Sequence, residues 1–308
     1  MPKLSICIPV FNQNVTPLLR DLIAQRDNLE EDVEILVFED GSVERVKKHN
    51  FWLRKIKNII YVDFKDNVGR SAIRNKLGQA ATGDYLLFMD DDSLIEKADF
   101  LKSYVQHLAP DKVICGGRVY PKTSPGEDYT LHWTYGSKAE SKSADLRNQN
   151  PHDAFHSNNF VVPRSIFMKR PFDERLREYG HEDTMFGYIL RQNIITVEHI
   201  DNPVIHSKLE SNQEFLEKSQ LALKNLYFLY LRRDKGFINS VKILRVFDRM
   251  KKLGLTLIIA AIYRLSRNTL EQALLYTSKP SLRAFNFYKL GYLANYSRQN
   301  DFKEVPQL

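Results

Sequence analysis

Tyr85-Leu86-Leu87-Phe88-Met89-Asp90-Asp91-Asp92 runs from five apolar or aromatic residues straight into three carboxylates. A continuous apolar run of this length, preceded by the stop signal Thr82-Gly83-Asp84, predicts a strand buried on both faces. Three carboxylates at its end repel one another unless a cation or hydrogen-bond donors compensate. Mg²⁺ or Mn²⁺ bridging to phosphate oxygens is one compensation, since both take hard oxygen ligands and often use only one or two protein carboxylates. A solvated acidic turn is the alternative reading.

Working outward, strand and helix signals alternate. Leu4 to Val10 is an apolar run ended by Phe11-Asn12-Gln13-Asn14, and Thr16-Pro17 opens a helical stretch, Leu18 to Gln25. Val33 to Phe38 and Ile59 to Phe64 are further strands, the former ending in Glu39-Asp40-Gly41-Ser42. The turn Asp66 to Gly69 leads into a helix over Arg70 to Ala81. Short buried strands separated by helices predict a mostly parallel sheet covered on both faces, with ligands outside the carboxyl ends of the strands. Both acidic turns fall at such ends and point to one site.

Downstream, Val113 to Tyr120 reads as one strand, Phe160 to Pro163, Thr196 to Ile200 and Val204 to His206 as short ones, and the segment after Asn212 as helical. Thr123 to Asp153 is polar and irregular, and its length suggests a substrate-covering loop or local disorder.

The chain has 308 residues, 43% hydrophobic and 27% charged, with 18 Phe and 15 Tyr, which is enough apolar material to exclude disorder throughout. Cys7 and Cys115 sit in apolar runs and read as buried thiols, not a disulfide framework. The start of the chain reaches a strand at once without a small-residue cleavage site, so a cytoplasmic protein is expected. The best apolar stretch, Leu253 to Tyr263, is too short to cross a bilayer.

Charge is unevenly placed. Residues 211–308 carry 17 Lys and Arg against 7 Asp and Glu, whereas residues 1–210 carry 28 against 31. Without zinc-ligand spacing or an RNA-binding aromatic signature, nucleic acid is not an expected partner. Basic residues alternating with Leu, Ile, Phe and Tyr over Phe237 to Arg267 suit an anionic membrane surface, with a solvated helical face as the alternative.

Five segments then resemble, in order, the inverting nucleotide-sugar-dependent glycosyltransferases of family 2, which have the GT-A fold. They are Ser5 to Asn12, Val37 to Ser42, Asn67 to Asn75, Gly83 to Asp92, and Gly180-His181-Glu182-Asp183-Thr184-Met185-Phe186-Gly187. The resemblance spans residues 1 to about 210. It implies a GT-A-like α/β domain over 1–210, with a mostly parallel sheet and helices on both faces, and a basic, mostly helical extension over 211–308.

It also implies roles. Pro9, Phe11, Asn12, Glu39, Asp40, Gly69, Arg74, Asp90 and Asp91 would contact the donor, with Asp40 accepting a hydrogen bond from a base imide, which favours uracil or thymine over cytosine. Asp90 and Asp92 match the aspartate-any-aspartate metal motif, and His206 could complete the shell around Mn²⁺ or Mg²⁺. Asp183 is the candidate general base, with Glu182 orienting acceptor or donor sugar. Ser157, Asn158 and Asn159, in a segment similar to the family's acceptor side, would meet sugar hydroxyls, whereas Trp133 and Tyr135 read better as ordinary core than as a sugar platform. The expected reaction moves a sugar, from UDP most readily, to a hydroxyl of a saccharide or lipid-linked saccharide at the inner face of a membrane. A nucleotidyltransferase would carry a Gly-rich basic loop where Pro9-Val10-Phe11-Asn12 stands, and a non-catalytic binder of nucleotide sugars or glycans is the other rival.

Overall fold

The computed structural model describes residues 3–176, 179–232 and 234–300. Ten strands occur among them: β1 Leu4–Val10, β2 Val33–Asp40, β3 Ile59–Phe64, β4 Tyr85–Met89, β5 Ser93–Leu94, β6 Lys112–Cys115, β7 Arg118–Val119, β8 Asn159–Pro163, β9 Thr196–His199 and β10 Val204–His206. Seven form one sheet in the order β3-β2-β1-β4-β8-β6-β9, and β5-β10-β7 form a small second sheet. In the large sheet β3, β2, β1 and β4 are parallel, β8 runs antiparallel to β4 and β6, and β9 is parallel to β6.

The apolar runs are explained by burial on both faces. Ile6, Ile8, Ile35, Val37, Leu87 and Met89 enter one core, while Cys7, Leu36, Phe38, Leu86 and Phe88 enter the other. Side chains alternate across a strand, so both faces of these runs are apolar, and the polar exceptions, Ser5 and Glu34, are buried with Ser5 donating to Glu34 at 2.5 Å. The helix Thr16–Arg26 sends Leu18 and Leu22 to the first core, and Arg70–Ala80 sends Ile73 and Leu77 to the second. Both cysteines are free and buried among these residues, and burial pushes both thiols up.

Two expectations are corrected. Val113 to Tyr120 is not one strand, because the chain leaves the large sheet after Cys115 and joins the small one at Arg118. Gly117 between them has φ 85°, and a Cβ at Gly116 would lie 2.3 Å from Asn202 O and from Tyr104 Oη. Thr123 to Asp153 is not an irregular loop; it contains helices at Thr130–Tyr135 and Ala144–Asn148, with Thr130, Leu131 and His132 buried.

The described residues form two compact units. One comprises 3–120, 140–176 and 182–208; the other comprises 121–139, 179–181, 209–232 and 234–300. In the second, the helices Asn212–Leu231, Thr256–Leu275 and Leu282–Asn300 enclose Leu131, Leu216, Tyr263, Leu274, Phe285 and Tyr288. Ser211 and Glu214 cap the first of these reciprocally, and Asn212 accepts the Leu131 N–H at 2.8 Å while donating to Leu275 O at 2.8 Å. Trp133 donates to Pro121 O at 2.8 Å, and Tyr135 packs on Phe215 and Phe285, so both serve this interior. Among the described residues no helix is long and apolar enough to cross a membrane.

Candidate active site

The site grows from the end of β4. Main-chain pairing with β8 continues one residue past Met89, where Asp90 N–H donates to Asn158 O at 3.0 Å. Asp91 reaches the end of β1 and accepts the Phe11 N–H at 2.9 Å. Ser207 donates from N–H and hydroxyl to Asp92 O, at 3.0 and 2.6 Å, which joins the chain after β10 to the acidic run. The pairing of Ser93 with His206 then brings the imidazole beside Asp92, with Nδ1 3.2 Å from Oδ1.

The β2 turn is built on two buried carboxylates. Glu39 accepts from Ser42 at 2.5 Å, Asn50 at 2.6 Å and Tyr61 at 3.2 Å, so its oxygens hold the turn itself. Ser42 in turn accepts the Asn12 N–H at 2.8 Å, and the Asn12 side chain accepts the Val43 N–H at 2.9 Å. Pro9 stands in β1 opposite Phe38, while the Phe11 side chain is half exposed. Asp40 accepts the N–H groups of Val68 at 2.7 Å and Gly69 at 3.1 Å. Burial raises the Asp40 carboxyl above its ordinary value against the pull of those two amides. Each oxygen keeps a lone pair for a further donor.

Arg74, 2% exposed, links the acidic run to the second acidic pair. Its Nη2 donates to Asp90 Oδ1 at 2.6 Å, and its Nη1 lies 3.6 Å from Glu182 Oε1, which Arg70 approaches at the same distance. Burial alone would raise Asp90, but the guanidiniums of Arg74, Arg70 and Arg118 hold its carboxyl below the usual range. Glu182 and Asp183 open the helix Glu182–Gln192, whose Phe186 stacks on Phe172 at 4.5 Å and joins the rings of Phe155, Phe160 and Phe167 beneath β4. Asp183 accepts the Thr184 N–H at 2.6 Å, and its Oδ2 lies 3.3 Å from His156 Nδ1.

Of the three expected metal ligands, Asp92 and His206 stand side by side. Asp92 Oδ1 is shielded from solvent and accepts no well-aligned hydrogen bond, with His206 Nδ1 3.2 Å away. Asp91 is pushed up to about 7 by burial and by Asp92, despite the Phe11 amide. Asp90 Oδ1 is instead taken by Arg74 at 2.6 Å, and the ligand atoms of Asp90, Asp92 and His206 do not all lie within 4.8 Å of one another, so the structure pairs His206 with Asp92 but does not gather the three expected metal ligands.

Residues 5–176 match the model of the family described as glycosyl transferase family 2. The chain belongs to glycosyltransferase family 2. As a member it is a glycosyltransferase, and its sheet is that of the GT-A fold. A β-1,3-glucosyltransferase of Campylobacter jejuni acting on GalNAc(5)-diNAcBac-PP-undecaprenol is 26% identical over 261 residues, covering 82% of this chain and 77% of that protein. The putative glycosyltransferase EpsH of Bacillus subtilis is 25% identical, covering 76% and 70%. Among solved structures, the Pyrobaculum calidifontis mannosyltransferase PcManGT, in complex with GDP-Man and Mn²⁺, shares the fold at 13% identity and TM-score 0.58, over 98% of this chain and 88% of that one. S. aureus TarS residues 1–349 in complex with UDP does so at 18% identity and TM-score 0.52, over 98% and 93%.

The family motifs find Asp90 to Asp92 and Glu182-Asp183 but pass over Arg118. This side chain sits on β7, paired through Val204 with the strand that carries His206. It binds Glu140 at 2.9 Å. Burial would lower Arg118, but Glu140, Tyr120, Asp183 and Asp90 hold it above its usual value. No local pattern announces it, because its partners come from distant segments. His156, beside Asp183, directly precedes the segment Ser157-Asn158-Asn159. Within that segment Ser157 and Asn158 are buried, and Asn158 Oδ1 has no hydrogen-bond partner. Asn159 is fully engaged inside the protein, accepting from Tyr104 at 2.6 Å and donating to Gly117 O and Asn202 O at 2.9 Å. Its amide holds the framework and has nothing left for a sugar.

Proposed function

We propose that this enzyme transfers a sugar with inversion from a nucleoside diphosphate, UDP foremost, to a hydroxyl of a saccharide or lipid-linked saccharide. The observation that carries the reading is the Arg74 bridge, which joins Asp90 of the donor-side acidic run to Glu182 of the acceptor-side pair through one buried guanidinium. Asp40, with the amides of Val68 and Gly69 on its oxygens, would take the imide N–H of uracil, and Asp90 the ribose. Asp92, Asp90 and His206 would hold a divalent cation, which would supply charge neutralisation at the diphosphate leaving group. Asp183 would accept the proton of the acceptor hydroxyl as its oxygen attacks the anomeric carbon from the face opposite UDP, and inversion follows from that single displacement. His156 Nδ1 and the Thr184 N–H fix the carboxylate, while Glu182, held by Arg70 and Arg74, would orient the sugars with Ser157 and Asn158.

The Campylobacter jejuni relative acts on a polyprenol-linked saccharide, which supports an acceptor at the cytoplasmic face of a membrane, met through the basic residues beyond 210. The test is UDP release and transfer with a panel of UDP-sugars and Mn²⁺. Asp183→Asn should lose on the order of 10³-fold in turnover while still binding UDP, and Asp92→Ala should lose transfer together with Mn²⁺-dependent UDP binding. Transfer at the wild-type rate in either variant overturns the role given to that residue.

A further inference from the structure

We infer that the exposed face of the Thr256–Leu275 helix, with the Lys242–Lys252 helix before it, is a wedge that enters the headgroup region of an anionic bilayer. This rests on, and gives residues to, the membrane contact proposed above. Leu257, Ile258, Ile262 and Leu265 occur at helical spacing on one side and are 47% to 88% exposed. Leu253, in the turn between the helices, is 66% exposed. The other side of the helix is already satisfied, with Ala260, Tyr263 and Leu274 buried. The outward side chains are therefore a second apolar face, larger than scattered surface residues produce.

The preceding helix tells what covers it. Leu244 and Phe247 are buried, and Lys242, Arg245, Arg249 and Lys252, spaced three to four residues apart, are exposed on the opposite side. Between residues 235 and 267 there are eight Lys and Arg and a single acidic residue, Asp248. A second copy meeting the same face would bring two such cationic sets together, which opposes an isologous contact. A protein partner is disfavoured by the side chains themselves. The apolar face is aliphatic with no Trp, Tyr or Phe, and lysine, abundant at its edge, is depleted from protein interfaces. Aliphatic insertion beside a cationic stripe, on helices that do not span, is the chemistry of interfacial attachment to acidic lipid.

The full chain is tested by flotation with phosphatidylcholine vesicles and with vesicles containing phosphatidylglycerol, without donor or acceptor. Binding is expected to phosphatidylglycerol vesicles, at least 10-fold weaker to phosphatidylcholine, and to weaken with salt. The triple variant Ile258→Asp, Ile262→Asp, Leu265→Asp and the triple variant Lys242→Gln, Arg245→Gln, Arg249→Gln should each lose 10-fold or more in affinity, with thermal unfolding and UDP release unchanged. Ile258→Trp should blue-shift on phosphatidylglycerol vesicles and be quenched by brominated acyl chains. Wild-type affinity in the aspartate variant overturns the proposal. So does a protein that ignores vesicles and sediments as a dimer converted to monomer by those aspartates. Vesicle binding is read without catalysis, so its failure leaves the UDP-release test untouched.

Discussion

The end of β4 and the outer face of the Thr256–Leu275 helix break the ordinary rule of burial in opposite directions. At β4, charge is inside: Arg74 and Glu182 are buried, and the guanidinium answers both Glu182 and the mostly covered Asp90. On the helix, hydrocarbon is outside, with Leu265 88% exposed. An exposed leucine costs the fold almost nothing, whereas a buried guanidinium without its carboxylates costs several kcal/mol. The two regions should therefore respond differently to mutation: substitutions in the first cost stability, and those in the second leave it nearly unchanged.

The hardest way to break that contrast is Arg74→Met. It leaves Asp90 and Glu182 without their shared cation, and urea unfolding should show a loss of about 3 kcal/mol or more. A loss under about 1 kcal/mol would mean that solvent or Arg70 compensates, and the bridge could no longer be called structural.

A smaller effect is expected from pH, at another buried group. His199 accepts from Arg147 at 2.8 Å through Nδ1 and meets Pro151 O at 2.9 Å through Nε2, and burial with the nearby Arg147 charge lowers it to about 4. The unfolded chain takes up this proton near pH 6.5 and the folded protein only near pH 4, so the unfolded state binds more protons between those values. Stability should fall as pH drops through that window, by about 2 kcal/mol between pH 6.5 and 5 from this group. His199→Gln should flatten that part of the profile, and an unchanged slope would refute the assignment.

The smallest effect sharpens the comparison from the other side. Ile258→Asp with Ile262→Asp and Leu265→Asp should change unfolding free energy by less than about 0.5 kcal/mol per site, because these side chains are 47% to 88% exposed. A larger loss would show that the face is packed in solution.

How much of this could be read from the sequence follows the same division. β1, β2 and β4 were legible because strands buried on both faces leave largely apolar runs, and β3, at the sheet edge, because Ile59 to Val62 is itself apolar. Asp90 to Asp92 stood out because carboxylates seldom follow such runs without a purpose. Val113 to Tyr120 misled, since its apolar pattern continues across Gly116-Gly117 while the hydrogen bonding changes sheet. Asn159 misled as well: a polar residue at the start of β8 looks available, and only the fold shows Tyr104, Gly117 and Asn202 closing around it. Arg118 was silent because its environment is assembled from residues remote in the chain.

The glycine pair after Cys115 has a consequence of its own. The polypeptide passes from one sheet to the other with no slack in the crossing, and a methyl group at Gly116 would strike two oxygens at 2.3 Å. The ribbon that bears His206 is thus coupled to the main sheet as a railway siding is to its line, by a fixed set of points. Diversification of this enzyme can lengthen the track on either side, but the junction admits no extra sleeper.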